Sequence, residues 1–167
     1  MDDAEAEWQS WLSGLAPSKR AAAEWLRTQF EALGAADAPD WARSEIEENQ
    51  PQLARFVLLR SLWRGAIDGW AAPGALEQVA VARRLLDAGA DRDDLELLAR
   101  AVAHEAVFAT VDELDRGADV NVSGVHAGWV VVESGEDGVP TGRRLSDLHE
   151  DLLTMDPSGR DGADLWR

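Results

Sequence analysis

The chain has 167 residues, 46% of them apolar, and 32 acidic against 16 basic residues give it a formal net charge of −16. That much apolar material excludes a largely disordered chain, and the charge opposes contact with nucleic acid phosphates and anionic membranes while favouring cations and basic surfaces. Cysteine is absent, which removes disulfides, thiolate metal sites and a thiol nucleophile together.

The charge is uneven. Residues 1–50 hold eleven acids and four bases, residues 51–100 seven of each, and residues 101–167 fourteen acids and five bases. Met1-Asp2-Asp3-Ala4-Glu5 lacks the basic and apolar regions of a secretory signal, and no run approaches the roughly 18 apolar residues of a membrane span, so the expected compartment is cytoplasmic. Eight Trp stand beside three Phe and no Tyr, and the abundance of Ala, Arg and Asp reads as GC-rich coding.

In chain order, Trp8, Trp11, Leu12 and Leu15 recur at the spacing of one helical face. Pro17 restarts the chain, Ser18 is placed to cap a helix over residues 19–33 with Trp25, Leu26, Phe30 and Leu33 inward, and Gly34 is its stop. A short acidic helix at 41–48 is anchored only by Ile46. Pro51 opens a central helix to Trp70 carrying Phe56, Leu59, Trp63, Ala66 and Ile67, ended by Pro73-Gly74. Leu76, Val79, Ala80, Arg83 and Leu86 form the next pattern, closed by Gly89. Asp91 or Asp93 then caps a helix from about Asp94 to Asp115 with Leu95, Leu98, Val102, Ala106 and Val107 inward and Gly117 as stop.

Past Gly117 the character changes. Trp129-Val130-Val131-Val132, flanked by glycines, reads as a strand or hairpin near residues 120–140, and residues 134–140 as a turn cluster. A last helix fits 145–155, with Ser146 at its N-cap and Leu148, Leu152 and Met155 on one face; the polar tail 159–167 is expected to be mobile unless Leu165 and Trp166 dock. The expected fold is mainly α: one domain over residues 1–158 with five to seven helices and a small hairpin. Leu85-Leu86-Asp87-Ala88-Gly89-Ala90-Asp91 and the segment 114–121 look like ankyrin helix ends, but Gly89 and Gly117 lie 28 residues apart where that repeat wants about 33, so no ankyrin function carries over.

Chemical motifs are scarce. His104-Glu105 and His149-Glu150 do not extend to His-Glu-x-x-His, and His126 stands alone, so no metal is expected. Nucleophile elbows and phosphate-cradling loops are missing, and no cofactor is expected. Carboxylates at helical spacing, such as Asp147 with Asp151 or Asp112 with Asp115, read as solvated acidic faces. Trp41 and Trp166 stand among polar residues, where an exposed indole is a typical interface anchor.

Residues 101–117 and 148–162 resemble segments of small uncharacterised acidic actinobacterial proteins, a resemblance over about thirty residues that implies no activity. The residues themselves point to a non-enzymatic acidic protein binding a basic protein partner, as an immunity or inhibitor protein does. Its expected contacts are Trp41, Glu45, Glu47 and Glu48, with Asp147, Glu150, Asp151 and Trp166. The alternative is an enzyme or ligand-binding domain with a pocket near His104, Glu105 and Trp129.

Overall fold

A computed structural model describes residues 3–119, 121, 124 and 127–166. The described chain is mainly α, with eight α-helices and one two-stranded antiparallel sheet. It divides into two compact units, one of residues 1–57 with 132–145, the other of residues 58–131 with 146–167.

The first unit holds α1 (Asp3–Ser13), α2 (Pro17–Leu33), α3 (Ala38–Glu48), the opening of α4 (Gln52–Leu62) and most of the hairpin β1 (Val131–Ser134) and β2 (Pro140–Leu145). Helix α2 begins at Pro17, not at the predicted Ser18 cap, because proline's fixed φ suits the first helical turn and its missing N–H is no loss there. Gly34 ends it with φ +85, its N–H and that of Ala35 bonding back to Glu31 and Phe30. The inward stripe is Ala23, Leu26 and Phe30, which turns Trp25 outward against expectation. Phe30, Trp41 and Phe56 form an aromatic trio with centroids 5.5–5.8 Å apart. The hairpin turn bonds Gly135 N–H to the Val139 carbonyl, and β2 runs five residues beyond the predicted region. Nothing apolar in Thr141-Gly142-Arg143-Arg144 signals it; Arg143 pairs with Glu133 on β1 instead.

The second unit holds the end of α4, α5 (Ala75–Gln78), α6 (Ala80–Asp87), α7 (Arg92–Arg116) and α8 (Leu148–Thr154). The predicted helix to Trp70 loses its regular form after Leu62, continuing as a π turn at Trp63–Ile67 and a 3-10 turn at Asp68–Ala71. The wider turn carries Trp63 and Ile67 into the core, and the Trp63 indole N–H donates to the Leu152 carbonyl on α8 at 2.6 Å. The predicted helix from Leu76 to Leu86 divides at Val79, whose extended backbone separates α5 from α6. Asp91 caps α7 as expected, accepting from the N–H groups of Asp93 and Asp94. Helix α8 starts at Leu148, and its His149 N–H donates to Asp115 on α7 at 3.1 Å; no cap from Ser146 forms. In the tail, Ala163–Leu165 makes a 3-10 turn that buries Leu165.

Trp63 is 1% exposed and spends its one polar group on a carbonyl of another helix. Trp63→Ala is expected to cost about 3–5 kcal/mol in chemical denaturation. A loss below about 1 kcal/mol would contradict its place at the centre of this unit.

Candidate interaction surface

Helix α7 has 25 residues, about 37 Å at 1.5 Å per residue, and apolar side chains on both sides. Ala101, His104, Val107 and Val111 face the core. At about 100° per residue, Leu98, Val102, Ala106 and Ala109 fall on the opposite side. There Leu98 is 59% and Val102 61% exposed, so Leu98, Val102 and Ala106 of the predicted inward stripe face out, while Val107 turns to the core as expected.

That outer side forms one wall of a trough of about 370 Å³, with α5 and α6 as the other wall. Val81 and Leu85 of α6 and Leu98 and Val102 of α7 are its exposed lining, and the less exposed Ala82, Ala99 and Ala103 serve as its floor. Next along α7, a second depression is lined by Ala109, Thr110, Glu113, Leu114 and Trp129. Two glycines place that tryptophan. A Cβ on Gly128 would meet the Gly117 carbonyl oxygen at 2.5 Å, and Gly117 itself has φ +68, so the return of the chain across the end of α7 requires glycine at 128 and favours it at 117. The Trp129 N–H then bonds the Gly117 carbonyl at 2.8 Å, and its indole N–H the Glu113 carbonyl at 3.0 Å.

The wall formed by α7 has an acidic border. Asp94 precedes Leu98 by one turn, Glu105 follows Val102 by three residues, and both are exposed. An ion pair between Arg92 and Glu77 ties α7 to α5 at one end.

No family model, curated protein or solved structure matches the chain. Its chemistry therefore rests on its own residues.

His104 is 3% exposed, lies against Trp63 and Trp166 with centroids 5.6 and 6.2 Å away, and has no hydrogen-bond partner on either ring nitrogen. Burial pushes its pKa below the ordinary histidine value, against the pull of Glu105 and Asp156. His104 and Glu113, whose carbonyl holds Trp129, are nine positions apart on α7, about half a turn around the helix, so His104 and Trp129 lie on opposite sides. Glu105 stands on the border between them. Among the described residues, His, Asp and Glu form no group of three that would hold a metal ion, and His126 lies outside those residues.

The other candidates fall into two sets. In the first unit, Trp41 packs in the aromatic trio, Glu47 accepts the Trp11 indole N–H at 2.6 Å, and Glu48 is exposed. Glu45 is only 7% exposed; it accepts the Leu53 N–H at 2.8 Å and pairs with Arg143 at 2.9 Å. In the second unit, Asp147 and Glu150 are exposed, Asp151 is half-buried, and the exposed Trp166 lays part of its ring on His104. Asp115, read from the sequence with Asp112 as a solvated acidic face, is instead largely buried: it accepts the His149 N–H at the start of α8 and meets the His149 Nδ1 at 2.8 Å. Histidine's lateness in the chain offered no sign of that pairing.

Glu45→Lys is expected to cost about 3–5 kcal/mol by denaturation, because it removes the acceptor of Leu53 and sets a second cation against Arg143; a cost within about 0.5 kcal/mol would return Glu45 to the surface. The Asp115 hydrogen bond raises the pKa of His149, so this pair's contribution is complete below the ordinary value of about 6.5 and is lost as pH rises through the raised one. His104 has the opposite sign: its contribution is present above about 6.5 and is lost as pH falls through its depressed value. NMR titration should find His149 above about 6.5 and His104 below it, with Asp115→Asn returning His149 toward the ordinary value. The reverse order would refute both assignments.

Proposed function

We propose that this chain is a non-enzymatic, cytoplasmic interaction protein that binds a basic protein partner, in its most concrete form an immunity or inhibitor protein. The observation that carries this reading is the open side of α7. A helix apolar on both sides is built for burial on both, and here one side is left uncovered beside exposed carboxylates. Charge complementarity then names the partner: a net charge of −16 draws a basic surface and repels phosphate. The separation of His104 from Trp129 favours this over a catalytic pocket shared by the two.

Of the sequence candidates, Glu45 holds the fold together and Trp41 serves an aromatic core, so the proposed docking charges are Asp94 and Glu105, exposed on α7 within about one turn of Leu98 and Val102. The test uses the partner isolated from the native host and association measured at two salt concentrations. The association rate is expected to fall by at least about tenfold between low salt and ~0.5 M, and Asp94→Lys with Glu105→Lys to lower the low-salt rate more than they raise dissociation. Binding to DNA should be negligible. A partner indifferent to both salt and reversal, or recovery of small molecules alone, would overturn the reading.

A further inference from the structure

We infer that the trough between α6 and α7 receives an amphipathic helix of the partner, its apolar ridge on the alanine floor and its basic flank against Asp94 and Glu105. This rests on the interaction reading above and adds the form of what is bound. The shape argues for a helix. Two walls of Leu and Val over a floor of Ala82, Ala99 and Ala103 make the kind of groove into which the i, i+4 ridge of another helix packs. Length agrees as well. From Leu95 to the Trp129 depression at Glu113 the surface follows α7 for about 27 Å, the length of roughly 18 helical residues.

Charge selects among occupants. A second copy of this chain would bring another −16 against the first, with no excess of cations to offset it. A basic helix meets the opposite situation: its apolar face covers Leu98 and Val102 while Lys or Arg on one flank reaches the carboxylates bordering α7. A small apolar ligand would use the floor but leave both exposed walls in water.

The experiment titrates the full-length protein calorimetrically with three synthetic 18-residue peptides: a Leu/Lys helix with leucines on one face, the same helix with Glu for Lys, and a scramble of the first that destroys the face. The Leu/Lys helix is expected to bind, with the other two at least about tenfold weaker, and Val102→Asp, at a position too exposed to threaten folding, to weaken it at least about tenfold. Circular dichroism checks that the variant is folded, and the peptide comparison stands without it. If the Leu/Lys helix binds salt-sensitively but Val102→Asp binds it equally well, the trough is not the site and the basic-partner reading survives. If the Glu peptide binds as tightly as the Lys peptide, the charge argument fails and takes that reading with it, as does absence of binding by all three. A dimer in sedimentation that Val102→Asp dissociates would give the trough to a second copy and overturn the inference.

Discussion

A helix apolar on both sides can be satisfied on only one of them by a unit this small, and the second unit is arranged around that constraint. The side of α7 that turns inward carries Ala101, His104, Val107 and Val111. The π turn at Trp63–Ile67 widens α4's continuation where it meets this side, and Trp63 reaches past α7's histidine to the Leu152 carbonyl of α8. Bulkier residues on that side would displace the indole and leave both its N–H and that carbonyl unpaired in the core. With the core packed on that side, Leu98 and Val102 stand on the other, and the trough lies where that side is left uncovered.

Helix ends were legible because their signals are local. Pro17, Gly34, Pro51, Asp91 and Gly117 each act through the conformation or hydrogen bonding of one turn, and each marks an observed boundary to within a residue. Sidedness was another matter. Periodicity reports which positions share a face, but on α7 apolar residues fill two faces, and Leu98 and Val102 outweighed Ala101 and His104 in any reading by hydrophobicity. Trp25 failed for a related reason: large apolar area suggests core, yet α2's buried stripe is set by Ala23, where a small side chain is needed.

The candidate site was less legible because its parts are distant in sequence. Glu45 looked like one of three equivalent surface carboxylates, and nothing near it foretold Arg143, which arrives from a hairpin almost a hundred residues later. Asp115 likewise gained its role only when α8 returned to α7. His104 shows the limit of motif reading. Its neighbour Glu105 suggested shared chemistry, but the imidazole lies buried in an aromatic setting while the Glu105 carboxylate, 3.9 Å from its Nδ1, stays largely in solvent. Without a hydrogen-bond partner on either ring nitrogen, the buried ring sets a cost on any state that charges it.

An open apolar trough is a hazard for any protein at high concentration, since the surface that binds a partner also fits other copies of itself. The acidic excess answers both needs with one property. Repulsion between like-charged copies extends roughly a Debye length, about 8 Å at physiological salt, and acts before apolar surfaces touch. For a basic partner the same field has the opposite sign and speeds approach. Apolar contact then governs how long the complex lasts, because it forms only at van der Waals distance and must be broken for the partner to leave. Charge thus decides which surfaces arrive at α7, and the Leu and Val walls decide which stay.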